Sequence, residues 1–135
     1  MAPGHQSPSV LIVEDDRDGR LLYVEWLQQA GFRVAQAHNG LQALERAVEA
    51  TPDVVVTDLN IPGIDGFELT RRLKQDPRTR GVPVLAVTGY AAFTADPDRA
   101  HRAGCDAVLP KPCSAEELEA AIRRLIGDSA RGRQV

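Results

Sequence analysis

The run Val54-Val55-Val56-Thr57 closes on Asp58, a carboxylate at the end of what reads as a buried strand. Taken alone, Asp58 is a turn former ahead of Pro62-Gly63. Its companions change that reading. Glu14-Asp15-Asp16 follows the apolar run Val10–Val13, Thr88-Gly89-Tyr90 follows Val84–Val87, and Pro110-Lys111-Pro112 follows Ala107–Leu109. Acidic groups crowded on one rim repel each other, and a cation among them relieves the cost. Mg²⁺ is the natural partner, because it is hard, keeps several waters, and accepts one or two carboxylates plus a phosphate oxygen. Glu14, Asp15 and Asp58 carry three negatives, and Mg²⁺ with Lys111 supplies three positives. Such a site balances before any phosphoryl group arrives, leaving Asp58 free to act as a nucleophile. The charge that spreads over a phosphoryl group in flight would be met by the metal, the ammonium and the Thr88 hydroxyl. Carboxylates do form acyl phosphates in phosphotransfer chemistry.

These residues need a scaffold that brings several strand ends to one edge. The strand candidates are Val10–Val13, Phe32–Ala35, Val54–Thr57, Val84–Val87 and Ala107–Leu109, all short and mostly β-branched. The first, third and fourth are apolar at consecutive positions, as strands covered on both faces are. Helical patterns fill the gaps. Leu21, Leu22, Val24, Trp26 and Leu27 precede the stop Ala30-Gly31. Asn39 caps a second helix carrying Leu41, Leu44 and Val48. Phe67, Leu69 and Leu73 mark a third, closed by Asp76-Pro77, with Asp65 as its cap. Asp96-Pro97 opens a fourth that runs to Ala103-Gly104. Ser114 and Glu117 form a capping box for a fifth, which carries Leu118, Ile122, Leu125 and Ile126. Strict alternation of five strands and five helices predicts an α/β fold with a parallel sheet and right-handed crossovers. Ligands in such sheets bind beyond the carboxyl ends of the strands, where the acids lie.

Composition narrows the class. A chain of 135 residues, 43% hydrophobic and 26% charged, fits one globular domain. The expected division is a folded unit over residues 9–127, with flexible tails at 1–8 and 128–135. A formal net charge of -3 gives no basis for nonspecific nucleic-acid or membrane binding. No signal peptide and no apolar run of about 20 residues is visible. Cys105 and Cys113 lack a disulfide or metal spacing and read as reduced, inert thiols of a cytoplasmic protein.

The segments LIVEDD, VVVTDLNIPGIDG, AVTGY and LPKP, in this order and spacing, resemble the receiver domain of two-component response regulators. The resemblance spans about residues 9 to 127. It implies a flavodoxin-like doubly wound (βα)5 sandwich with strand order 2-1-3-4-5. By position, Asp58 resembles the phosphoacceptor, and Asp15 a direct Mg²⁺ ligand. Glu14 would act on the metal directly or through water, and Asn60 through its backbone carbonyl. Thr88 and Lys111 resemble the pair that meets the phosphoryl group, and Pro112 resembles a proline often joined by a cis bond. The resemblance implies a phosphoacceptor switch rather than an enzyme, limited to self-phosphorylation from phosphodonors and slow autodephosphorylation. It also implies a histidine kinase or phosphotransfer protein as donor. The downstream target protein would bind the face of the fourth helix, fifth strand and fifth helix. With only a few residues after Ile126, a stand-alone receiver is expected.

One departure stands out. The family usually has an aromatic three positions before the conserved lysine, and this chain has Val108. Tyr90 and Phe93, in a segment about one residue longer than usual, are candidates to take over part of its role. Tyr90 is also expected to slow hydrolysis of the phosphorylated state. Two rival readings remain open: a Mg²⁺-dependent phosphohydrolase with an aspartyl-phosphate intermediate, and a degenerate receiver that only binds a partner. Against the first, Asn60 occupies the place where such an enzyme keeps a second acid. Against the second stands the complete set of acids, threonine and lysine. Asp16 reads equally as a third metal-site acid or a helix cap. Trp26 and Phe67 read as core, His5, His38 and His101 as chemically idle, and RGRQV as a solvated tail.

Overall fold

A computed structural model describes residues 7–89, 96 and 98–133. Tyr90, Phe93, Pro97, His5 and most of the expected amino-terminal tail lie outside the described residues. The elements are β1 (Ser9–Val13), α1 (Arg17–Gln29), β2 (Arg33–Ala37), α2 (Gly40–Glu49) and β3 (Val54–Asp58). They continue with α3 (Gly66–Gln75), β4 (Val84–Gly89), α4 (Arg99–Ala103), β5 (Ala107–Lys111) and α5 (Ala115–Arg133). All strand pairs are parallel, in the order β2-β1-β3-β4-β5. This is the flavodoxin-like doubly wound fold expected from the sequence.

The consecutive apolar residues of the central strands divide by the period of two that a strand imposes. Val10, Ile12, Val54, Val56, Leu85 and Val87 pack toward α1 and α5, against Val24, Leu27, Leu118 and Ile122. Leu11, Val13, Val55, Val84 and Ala86 pack on the other side, against Ala43, Ala47, Leu69, Leu73 and Ala103. With both faces covered, β3 and β4 stay apolar until their carboxyl ends, where Thr57 and Asp58 close β3 and Thr88 comes next to last in β4.

The helix starts follow their caps. Asn39 Oδ1 accepts from the Gln42 amide at 2.8 Å, and Asp65 Oδ1 from the Glu68 amide at 2.8 Å. Ser114 Oγ accepts from the Glu117 amide at 3.0 Å, and the Ser114 amide reaches back to Glu117 Oε1 at 3.4 Å. Asp16 settles as a cap: its Oδ2 accepts from the Gly19 amide at 2.9 Å.

Several expectations need correction. β2 begins at Arg33, because Phe32 turns into the α1–α5 core before the strand pairs with β1. α4 starts only at Arg99, with Asp98 as its cap and no side-chain cap bond; the Asp96 carboxylate binds Arg102 at 2.6 Å instead. α5 runs through Gly127 to Arg133, past the expected start of the tail at 128, since the segment contains no proline to break it. Trp26 is not core: it is 38% exposed and its Nε1 donates to Glu119 Oε1 at 2.8 Å, joining α1 to α5. Leu41 is 53% exposed, while Gly40, Ala43 and Ala47 face inward on α2. The packing there is too close for large residues, since a Cβ on Gly40 would sit 2.4 Å from Ile64 Cγ1.

Candidate functional site

Every strand that ends in a reactive residue delivers it to the same rim. Glu14 and Asp15 follow β1, Asp58 is the last residue of β3, Thr88 lies near the end of β4, and Lys111 is the last residue of β5. The parallel register makes this inevitable: Val13 pairs with Thr57, Asp58 with Val87, and Gly89 with Lys111. Carboxylate oxygens of Glu14, Asp15 and Asp58 lie within 4.8 Å of one another.

Lys111 binds two of these acids at once. Its Nζ lies 2.6 Å from Glu14 Oε1 and 2.6 Å from Asp58 Oδ2. The side chains of Glu14 and Asp58 are only 7% and 12% exposed, so the pairs are better shielded than surface ion pairs. Asp58 Oδ1 accepts the Asn60 amide at 2.9 Å. Asn60 therefore touches the site through its N–H, which holds the Asp58 carboxylate. Thr88 is buried one residue beyond Val87, the register partner of Asp58. The Lys111-Pro112 bond is cis.

Electrostatics follow from this packing. Burial pushes the Glu14 carboxyl above its ordinary value; the Lys111 hydrogen bond opposes the shift and the nearby Asp58 charge adds to it. Burial pulls Lys111 down, but the hydrogen bonds to Asp58 and Glu14 outweigh it and hold the ammonium above ordinary lysine. A firmly charged lysine thus sits beside a glutamate whose own charge is opposed by its burial and by Asp58. Three carboxylates against one ammonium leave two negative charges uncompensated in these contacts. A hard dication with oxygen ligands fits that excess, and Mg²⁺ meets the requirement in charge and donor type.

Some participants were not legible in the sequence. Arg20, on α1, donates from Nη1 to the Glu14 carbonyl at 2.7 Å and from Nε to Gln36 Oε1 at 3.1 Å. The Tyr23 hydroxyl donates to the Cys113 carbonyl at 3.3 Å, and burial followed by the Cys113 contact pushes its pKa up. Tyr23, Gly19 and Cys113 line a cavity of about 350 Å³ that opens beside Glu14 and Lys111. Only the amphipathic spacing of α1 pointed to this helix, and that spacing said nothing about the carboxylates. His38 and His101 lie away from the cluster, and the described cysteines are free thiols.

The model of the response regulator receiver domain matches residues 10–123. The chain belongs to that family. The polar-differentiation response regulator DivK of Brucella anthropi is 36% identical over 121 residues, covering 90% of this chain and 98% of that protein. Among solved structures, the receiver domain of sensor histidine kinase PA1611 from Pseudomonas aeruginosa superposes with a TM-score of 0.82 at 30% identity. The match covers 90% of this chain and 98% of that one, and that structure has a magnesium ion coordinated in its active site cleft. The chemotaxis response regulator CheY4 of Vibrio cholerae gives a TM-score of 0.83 at 28% identity, covering 89% and 99%. Receiver domains of two-component systems are phosphoacceptor switches rather than enzymes in the usual sense, and they bind Mg²⁺ at an acidic site. They meet histidine kinases or phosphotransfer proteins on one side of signalling and downstream targets on the other. No helix among the described residues is long and apolar enough to cross a membrane.

Proposed function

We propose that this receiver takes a phosphoryl group onto Asp58 from a histidine kinase or phosphotransfer protein and acts as a cytoplasmic switch. The observation that carries the reading is the double contact of Lys111 with Asp58 and Glu14, with Asp15 completing the acidic cluster. Glu14, Asp15, Asp58 and the Asn60 backbone carbonyl would hold Mg²⁺. The bound cation supplies charge neutralisation for the carboxylates and for the incoming phosphoryl oxygens.

A carboxylate oxygen of Asp58 attacks phosphorus, and the bond from phosphorus to the donor's imidazole nitrogen breaks. The electron pair stays on that nitrogen, which takes a proton from water, and an acyl phosphate is left on Asp58. The Asn60 amide, 2.9 Å from Oδ1, orients the nucleophile before the donor arrives. Lys111 then exchanges its bond to Asp58 for a phosphoryl oxygen, while the buried Thr88 hydroxyl is the donor on the β4 side. Movement at Thr88 and Lys111 alters α4, β5 and α5, the face offered to a target protein. Val108, half-buried against the α2–α4 core, lies on that path where the family usually has an aromatic.

Incubation with acetyl phosphate and Mg²⁺ tests the proposal. A lasting phosphoryl adduct that disappears with EDTA or in Asp58→Asn is the expected result. Continuous release of phosphate without an adduct would instead favour the hydrolase. No incorporation at all would leave a receiver that only binds.

A further inference from the structure

We propose that Arg20 is a positioning residue that, together with Gln36, sets the metal affinity of the acidic cluster. The inference rests on the reading above, that Glu14, Asp15 and Asp58 hold Mg²⁺. The Glu14 carbonyl belongs to the peptide group that joins Glu14 to Asp15, so its orientation fixes where both carboxylates leave the chain. That stretch of backbone is held from two sides. The Glu14 N–H donates to the Ala37 carbonyl of β2 at 3.1 Å, and the Glu14 carbonyl accepts from Arg20 Nη1 at 2.7 Å. Arg20 in turn is aimed by Gln36 of β2, whose Oε1 accepts from Nε at 3.1 Å. A planar guanidinium makes both bonds from one rigid fork, which a lysine ammonium cannot reproduce. Arg20 is half-buried in the first turn of α1, four residues after the Asp16 cap, so the helix start, the edge strand and the acidic loop converge on one side chain.

Two roles for this cation make opposite forecasts. Were Arg20 only a nearby positive charge, its removal would make the site more negative and Mg²⁺ would bind more tightly. As a brace, its removal frees the Glu14–Asp15 peptide, and Mg²⁺ binds more weakly. Groups that orient metal ligands are typically worth 10–100-fold in affinity.

The experiment is a titration of the metal-free chain with MgCl₂, followed by backbone amide NMR shifts, which also report whether each variant is folded. Arg20→Met is expected to weaken Mg²⁺ binding about tenfold or more. Gln36→Leu keeps the charge and loses one anchor, so a weakening of about threefold is expected. Arg20→Lys should fall between wild type and Arg20→Met. If Arg20→Met does not fold, Gln36→Leu decides alone. Binding as tight as wild type, or tighter, in Arg20→Met or in Gln36→Leu would overturn the role given to Arg20 and leave the metal site standing. Failure of the wild-type chain to bind Mg²⁺ at these residues would overturn both.

Discussion

Glu14 is the residue whose charge is least welcome in the metal-free protein. Its buried carboxyl has a raised pKa, so between the ordinary glutamate value, about 4.3, and the raised one the native state holds more protons than the unfolded chain. Stability therefore falls as pH rises through that window and stays at the lower level above it. Glu14→Gln is expected to raise the thermal midpoint in EDTA at pH 7.5, to flatten this acid-side slope, and to lose stabilisation by Mg²⁺. Thermal melts across pH with and without the metal check all three, and an unchanged midpoint in EDTA would contradict the account. Lys111 works in the opposite direction. Its raised pKa means that its contribution is complete below about pH 10.4 and is lost as pH climbs through the folded value. Lys111→Met leaves two shielded carboxylates without their ammonium. With the lysine 31% exposed, the cost is discounted to about 1–3 kcal/mol. Saturating Mg²⁺ should recover most of it, which urea melts with and without the metal would show. At this scale the convergence of Glu14, Asp15, Asp58 and Lys111 was readable from sequence, because each lies at or just beyond the end of a strand and a parallel sheet brings those ends to one rim. Arg20 was not readable, since its partners, Glu14 and Gln36, are joined only by the pairing of β1 with β2.

Gly66 shows how an element places a residue. A Cβ there would sit 2.5 Å from the Asp58 carbonyl oxygen and 2.6 Å from Leu59 Cα, so α3 can start only if this position has no side chain. Its N–H also donates to the Leu59 carbonyl at 3.0 Å. Gly66→Ala is expected to cost about 1–3 kcal/mol by overpacking and to slow phosphorylation by shifting Asp58. Urea unfolding together with the acetyl phosphate time course measures both, and wild-type behaviour in the two assays would rule the argument out. The strands and three of the five helix starts were legible in runs of β-branched residues and in Asn39, Asp65 and Ser114, whereas Asp16 read equally as metal ligand and as cap until the structure showed its bond to the Gly19 amide. The facing of α1 and α2 was not. Leu22 is 69% exposed while α1 packs through Val24 and Leu27, and α2 packs through its small residues Gly40, Ala43 and Ala47, where it approaches its neighbours closely. Periodicity locates an apolar stripe but does not say how close the neighbour comes.

For the molecule as a whole, metal binding and folding are linked. A ligand that binds only the native state at 100 times its dissociation constant adds about 2.7 kcal/mol. Mg²⁺ at that excess is expected to raise the melting temperature of the wild-type chain by several degrees, and to have little effect on Asp15→Asn. The fold class followed from the alternation of strands and helices, while the strand order entered by resemblance and agrees with the sheet. The central claim, that Asp58 is the phosphoacceptor of a Mg²⁺ site, is tested most directly by a crystal structure with Mg²⁺ and beryllofluoride. The expected map has a cation on Glu14, Asp15 and Asp58, the fluoride group on an Asp58 oxygen, and Thr88 and Lys111 turned toward it. An unmodified Asp58 still paired to Lys111, with no cation among the three acids, would contradict it.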